Sequence, residues 1–470
     1  MQTTRKPAPN PTLSSLSGIL FLSLGCLGTD AAASVIEIFP TNAGGSCTEE
    51  FENVANTLQP GDELVLHGGT YSQPCRRAVT AIGTNAQPII IRAATGEIPI
   101  LTNSTSQNNL DIVNSSYLVI RGLHFQGGSQ GVVFGGTNHH VTLEDNEVYG
   151  TDNNAITLNS GNSDFMTFRH NHIHHTGQAG GSTEGEGFYL GCHTGSCRVT
   201  NSLVEGNYIH HLRGTSSGGN DGVEVKVGSA GNIVRHNVIH DANIGTQFPC
   251  ILVYGGGSTV NTVEGNVMWN CGEGIYAVAD AVVRNNIVLS SGAGISSYPH
   301  DVVAQMKNLT IVNNTIVGQQ ECLFLRWSAI QNVTLANNAL YCGGGSALDG
   351  TGLSGATITI RDNYVEGVLV GAAIDGTKFL DGGTAAAAFI DHINKDVWPR
   401  PGSILIGKSG VGFTPSLDFN GRTRQSPFDI GAYETEGLAT NPGWKIGPGF
   451  KPTGTGDRQP PSAPVNLRIL

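Results

Sequence analysis

Charge is scarce in this chain. Asp, Glu, Lys and Arg make up 13% of its 470 residues and aromatics only 7%. A usual charged share is roughly 25%. That poverty fits many short strands joined by tight turns and excludes a mainly helical protein. Basic charge is scarcer still: 25 Lys and Arg stand against 37 Asp and Glu, a net charge of −12. The balance excludes nucleic acid and an anionic membrane surface as natural partners. It also means that a polyanionic substrate needs divalent cations between it and the protein. No C-x2-C pair occurs, so a cysteine zinc site remains only the alternative to disulfides. Beyond residue 33 no apolar run is long enough to cross a bilayer.

Glycine is what the chain has in excess, with 65 residues, about twice the usual share of roughly 7%. The other abundant feature is a repeated phrase. Nine times between Leu143 and Gly367 an apolar alternation leads to Asn and then to an apolar residue two places on, as in LEDNEVYG (143–150), FRHNHIHH (168–175), VEGNYIHH (204–211), VRHNVIHD (234–241) and VEGNVMWN (263–270). Weaker copies surround Asn286, Asn314, Asn338 and Asn363. A spacing of roughly 20–36 residues with alternation inside each copy predicts a strand-based solenoid. The central Asn is expected to point inward at a turn and form a ladder. A second strand precedes each phrase. Alternation makes Ile156, Phe188, Val223, Ile251, Ile275, Ile295 and Leu323 the inward set, with Leu158, Leu190, Val225, Val253, Ala277, Ser297 and Leu325 beneath. The predicted fold is therefore all-β, one elongated solenoid with an N-terminal cap.

Residues 1–33 read as a secretory signal: Arg5 and Lys6, an apolar stretch from Leu13 to Leu27, and Ala31-Ala32-Ala33 before Ser34. Lipidation at Cys26 is the less favoured reading, because Ser23 stands where a lipobox has Leu. The protein is then secreted, extracellular or periplasmic, and a monomer is expected. Eight cysteines remain, and they fall into neighbours, Cys47 with Cys75, Cys192 with Cys197, Cys250 with Cys271 and Cys322 with Cys342. Sequons stand at Asn103, Asn114, Asn308, Asn313 and Asn332. Residues 34–118 read as a cap and first coils, in which CTEEFENVANTL has helical spacing and covers the open end of the solenoid. Residues 119–435 form the solenoid body. From Glu436 to residue 470 the composition shifts to Gly, Pro, Lys and Thr, a disordered tail or linker.

The outward columns beside the core strand read Thr157, Tyr189, Glu224, Leu252, Tyr276, Ser296, Phe324 and Asn159, Gly191, Lys226, Tyr254, Val278, Tyr298, Arg326. Glu186, Tyr189, His193, Asp221, Glu224, Lys226, Tyr254 and Tyr276 are expected to share one face. Aromatics beside charge along a groove suit a polysaccharide, so Tyr189, His193, Tyr276 and Arg326 are candidate substrate contacts. His174, His210 and His240 share one repeat position, and a column of histidines is expected on a wall away from the groove. Zinc is the alternative occupant there, but no carboxylate recurs in register with all three. His170 and His236, just before their Asn, are expected in turns.

The repeat, the entry phrase LQPGDELVLHGGTY and the exit phrase DFNGRTRQSPFDIGAYE together resemble the right-handed parallel β-helix proteins over about residues 40–435. Within that class, NDGVEVKVGSAGNIVRHNVIHD resembles the acidic strand and lysine of β-helix polysaccharide lyases of the chondroitinase B and alginate lyase type. The resemblance implies that Asp221 and Glu224 bind calcium and that Lys226 removes the proton alpha to a uronate carboxyl. Glu186 is placed with the metal ligands. In the next strand the chain has ILVYGG where that family has L-x-L-R-H-G, which leaves Tyr254 as the candidate acid for the leaving oxygen. For Lys226 to act as base its pKa must fall below roughly 10.4. Bare Asp221 and Glu224 push it the other way, and a bound cation reverses that. The implied activity is β-elimination from a uronate polymer. The alternatives are a non-catalytic carbohydrate-binding or surface β-helix, in which Glu224 and Lys226 are an exposed ion pair, and a glycoside hydrolase using two of Glu186, Asp221 and Glu224. The polygalacturonase pattern and the W-x-D-H of classical pectate lyases are both absent.

Overall fold

A computed structural model of the chain describes residues 6–7, 33–40 and 50–452, apart from residues 105, 180–183, 216–218, 243, 245–246, 304, 319, 329, 355–356 and 374–375. Apart from one antiparallel pair near the C-terminus, the described strands of three or more residues stack in three parallel walls. The first wall runs from Ser34–Ile38 through Glu63–Leu66, Ile89–Ala93, Ser116–Arg121, Asn138–Glu144, Thr167–Arg169 and onward to Ile358–Arg361. The second contains His124–Gly127, Glu147–Tyr149, His172–His174, Tyr208–His210, Val238–His240 and Val267–Trp269. The third contains Ile156–Ser160, Phe188–Leu190, Val223–Val225, Pro249–Val253, Glu273–Ala277, Ala293–Ser297 and Glu321–Arg326. The predicted all-β, right-handed parallel β-helix is what the chain forms.

Alternation sets the core. Ile156, Phe188, Val223, Ile251, Ile275, Ile295 and Leu323 are all fully buried, as the sequence pattern requires. Each such side chain contributes about 1.5–3 kcal/mol of burial free energy. The nine Asn residues stand at the turn between the first and second walls. Their side chains form one ladder from Asn146 through Asn171, Asn207, Asn237, Asn266, Asn286, Asn314 and Asn338 to Asn363. The preceding residue is left-handed at each step, with φ of 55° at Asp145, 54° at His170, 57° at His236 and 53° at Asn285. Only Gly and short polar residues visit that region cheaply, which explains the Asp, His, Gly or Asn before each ladder Asn and places His170 and His236 in turns.

Asn237 shows what one step contributes. Its Oδ1 accepts from the backbone N–H and Nδ2 of Asn207, both at 2.9 Å. Its Nδ2 donates to the Val204 carbonyl at 3.0 Å and to Asn266 Oδ1 at 3.0 Å. Asn237→Ala leaves several of these buried groups without partners, each omission costing about 1–3 kcal/mol. A loss of about 2–4 kcal/mol in chemical denaturation is expected. A loss under about 0.5 kcal/mol would mean that the ladder is ornamental.

Helix Glu50–Ala55 caps the open end by burying Phe51 and Ala55, four residues apart on one face. The start of its expected helical stretch lies outside the described residues, as do nearly all of the expected signal segment 1–33 and residues 453–470. Cys192–Cys197, Cys250–Cys271 and Cys322–Cys342 are disulfides, the last two joining successive coils. Cys75 is also disulfide-bonded, and its expected partner Cys47 lies outside the described residues. No helix among the described residues is long and apolar enough to cross a membrane.

The C-terminal part departs from expectation. After the last coil, helix Ala385–Ala388 and the hairpin Phe389–Asp391 with Asp396–Pro399 lead into an irregular segment. This segment lays Trp398, Leu405, Phe419, Ile430 and Tyr433 against outward apolar residues of the second wall, among them Val238, Val267, Ile287 and Tyr341. The stretch expected to run free from Glu436 packs too. Trp444 and Ile446 join that second core. Buried Lys451 donates from Nζ to the Gly265 carbonyl at 2.7 Å and the Phe419 carbonyl at 2.9 Å. A Gly- and Pro-rich composition was read as freedom, but here the turns are held by carbonyl acceptors and an apolar wall.

Candidate functional site

The site sits on the third wall, where Phe188–Leu190, Val223–Val225, Pro249–Val253 and Glu273–Ala277 lie side by side. Glu224 and Lys226 alternate with Val223 and Val225, so both point away from the core. Strand pairing of Tyr189 with Glu224, of Glu224 with Leu252 and of Leu252 with Tyr276 builds the expected outward column. Glu186 and Asp221 precede Gly187 and Gly222, which occupy one position on successive coils. Each therefore enters at the same edge of the wall.

Burial is where the structure corrects the sequence. Glu186, Asp221, Glu224 and Lys226 are 3%, 2%, 3% and 5% exposed, and Tyr189, Tyr254 and Tyr276 are buried beside them. The wall is not an open groove, and the Glu224–Lys226 pair is not an exposed surface pair. Leu252, Tyr254, Tyr276 and Val278 form a small outer core against Val227, Tyr298, Val302 and Val303. The segment 298–303 thus covers the column. His300 lies over Tyr254 with ring centroids 4.4 Å apart, and Asp301 faces His193 Nε2 at 3.4 Å.

The charged atoms converge. Lys226 Nζ donates to Glu224 Oε1 and lies 4.1 Å from the centre of the Tyr189 ring and 5.1 Å from that of Tyr254. Tyr254 donates its hydroxyl to the same Glu224 oxygen at 3.1 Å. Glu186, Asp221 and Glu224 each offer an oxygen within 4.8 Å of the others. Glu186 Oε2, Asp221 Oδ1 and Glu224 Oε2 are buried without a hydrogen-bond partner among the described residues. A Cβ at Gly219 would collide with Glu186 Oε1, so glycine there leaves the cradle open.

Burial, reinforced by the Glu224 charge, pushes Glu186 and Asp221 well above the usual carboxylate range. Glu224 is raised by burial against the opposing pull of Lys226. Burial draws the Lys226 amine down, but Glu224 and Tyr189 outweigh it and hold the amine above its ordinary value. Burial and the Glu224 charge push Tyr254 up, and burial pushes Tyr189 up to about 12. As it stands the amine is a cation, both phenols are neutral, and Tyr254 is the donor.

The carboxylate set fits a hard divalent cation. Calcium takes oxygens at about 2.3–2.6 Å, so two oxygens on one ion stand at most about 5 Å apart. The three carboxylates meet that condition, each offering an oxygen within 4.8 Å of the others, and each carries an oxygen whose lone pairs have no partner among the described residues.

The structure brings Glu186, Tyr189, His193, Asp221, Glu224, Lys226, Tyr254 and Tyr276 into one neighbourhood. It does not bring Arg326 there. Arg326 stands four coils from Lys226, roughly 19 Å at the usual strand spacing, and is held by Asp349 at 2.7 Å. Sequence reasoning missed Glu273, His300 and Asp301. Glu273 precedes Gly274 just as Glu186 and Asp221 precede Gly187 and Gly222, so the repeat contained its signal. It is half-buried, accepts from Tyr298 at 3.1 Å, and desolvation pushes it up to about 7. His300 and Asp301 belong to a segment with no repeat position.

The family model for right-handed β-helix regions matches residues 84–218 and 209–340, and the chain belongs to that family. Three solved structures illustrate the likeness. The complex of XylC with xylose superposes with a TM-score of 0.58 at 10% identity, covering 86% of this chain and 98% of that one. Pectate lyase Pel9A gives 0.51 at 13% identity, covering 86% and 97%. An alginate lyase from Paenibacillus sp. str. FPU-7 gives 0.49 at 20% identity, covering 63% and 98%. At such identities the likeness is one of fold. No curated protein matches the chain.

Proposed function

We propose that the protein is a secreted polysaccharide lyase that cleaves a uronate-containing polymer by β-elimination. The observation that carries this reading is the convergence of three buried carboxylates, each with an unpartnered oxygen, beside a lysine and a tyrosine that share one of them. β-Elimination needs a neutralised substrate carboxylate, a base for the alpha proton and an acid for the leaving oxygen. Glu186, Asp221 and Glu224 would hold calcium, which when bound would offset the charge of the uronate carboxylate. Tyr254, kept protonated by burial, is poised to give a proton to the leaving oxygen. With the Glu224 charge offset by calcium, Lys226 would release its proton to solvent and, as the neutral amine, take the alpha proton. Tyr189 packs on the Lys226 amine and fixes its direction. Substrate entry requires the segment 298–303 to move aside, and His193 and Tyr276 then border the opening. The disulfides support a secreted protein.

The Lys226–Glu224 pair and the cover over it favour one rival, a carbohydrate-binding β-helix without turnover. A glycoside hydrolase sets its two carboxyl groups on either side of a sugar, whereas Glu186, Asp221 and Glu224 converge on one point. A panel of alginate, pectate and glycosaminoglycans, assayed with calcium and with chelator, separates the readings. Calcium-dependent release of UV-absorbing unsaturated ends is the expected result. Saturated reducing ends would instead mark hydrolysis, and tight polymer binding without any product would mark the non-catalytic rival.

A further inference from the structure

The second wall carries a different set of ligands, well apart from the carboxylate site in kind. His172 and His174 alternate on one strand and so face the same side. Glu147 is paired in register with His172 on the preceding coil. Its Oε1 lies 3.2 Å from His172 Nδ1 and 2.9 Å from His174 Nε2. Its Oε2 lies 2.8 Å from His124 Nδ1. The sequence column of His174, His210 and His240 is real, with rings stacked at 5.1 and 5.2 Å and ending on Trp269 at 4.4 Å. The carboxylate that register seemed to deny it comes from one coil earlier.

We propose that Glu147, His172 and His174 form a zinc-class transition-metal site, with His124 or water in the fourth position. One oxygen and two imidazole nitrogens meet within 4.8 Å. Ligands at about 2.0–2.1 Å in a tetrahedron stand roughly 3.3 Å apart, so the observed separations require only small outward shifts. Two imidazoles and a carboxylate select zinc, copper or nickel, whereas the all-carboxylate cradle on the third wall selects a hard cation. The side chains are partly open, 24% exposed for Glu147, 29% for His172 and 15% for His174, so an ion reaches them without unfolding the wall.

The neighbouring rings supply the outer partners that zinc histidines need. His172 Nε2 faces His210 Nε2 at 2.8 Å, and His210 Nδ1 faces His211 Nδ1 at 2.7 Å. His174 Nδ1 faces His175 Nδ1 at 2.7 Å. With Glu147 as acceptor, His172 bears its proton on Nδ1 and His174 on Nε2. When a metal takes those two atoms, each proton moves to the other ring nitrogen. His210 and His211 exchange tautomers in line with His172, and His175 does so with His174. The exchange passes each proton along to the next ring, and none need leave the protein.

The test uses tag-free full chain, stripped with chelator and titrated calorimetrically with zinc chloride, with cobalt(II) as a visible-spectrum reporter of coordination. One equivalent is expected to bind. Glu147→Gln and His174→Ala are each expected to weaken it by more than about 100-fold, beyond the 10–100-fold that loss of an outer partner brings. Glu186→Gln and excess calcium are expected to leave zinc binding unchanged, which separates this site from the lyase reading. His175→Ala, which removes only an outer partner, should retain binding and certify that the wall tolerates substitution. Equal zinc affinity in wild type and both ligand variants, or no binding in folded wild type, overturns the proposal.

Discussion

Without metal at pH 8, the double variant Glu186→Gln/Asp221→Asn melts above the wild type, and it no longer responds to calcium. The wild type buries three carboxylates within 4.8 Å of one another with a single amine to offset them. The folded pKa values of Glu186 and Asp221 lie above their unfolded values, and that of Glu273 is about 7. For raised carboxyls the favourable contribution is complete below the unfolded pKa of about 4. It is lost as pH rises through the folded value. The shift of Glu273 alone corresponds to about 3 kcal/mol. Metal-free wild type is therefore expected to lose stability between pH 5 and pH 8, and the double variant to lose less. Calcium acts in the opposite sense, because it binds the ionised groups, so its stabilising effect grows with pH. Melting curves at several pH values, with calcium and with chelator, read all of this. Parallel curves for the two proteins would show that the carboxylates are not strained by their proximity.

Lys226→Met is expected to destabilise the fold by about 3–5 kcal/mol, the cost of leaving a buried charge without its partner. Glu224→Gln in the same chain should recover most of that loss, since no charge is then stranded. A double-mutant cycle isolates the pair. Neither variant is expected to release unsaturated product. This separates stability from chemistry: the double variant is folded and inactive on the lyase reading, and folded with polymer binding intact on the non-catalytic one. A Lys226→Met protein as stable as wild type would show that the pair is solvated and that its burial has been misjudged.

The solenoid was legible because each coil must repeat two physical requirements, an apolar side chain every second residue and a left-handed turn ahead of an inward Asn. The inward column from Ile156 to Leu323 followed from the first, and the ladder from Asn146 to Asn363 from the second. Glu186, Asp221, Glu224 and Lys226 were legible as departures from that repetition. Their burial was not, because it depends on parts outside the repeat, such as the segment 298–303 that packs on Tyr254 and Tyr276. Arg326 shares the column of Lys226 but stands four coils further along it. Glu147 escaped because its partner in register is His172, while the visible column runs through His174. The packing of residues 436–452 escaped because Gly, Pro and Lys describe a loop equally well whether it is free or held.

The return of the C-terminal segment determines where the chain leaves the fold. Phe450 lies 5.7 Å from the Tyr208 ring and 6.1 Å from that of His172, and Lys451 is anchored to Gly265. The last described residues therefore pack on the flank of the rod, beside the histidine wall, rather than at its tip. Removal of that return segment would strip Tyr208 and His172 of the ring that flanks them and open the second wall to solvent on that side.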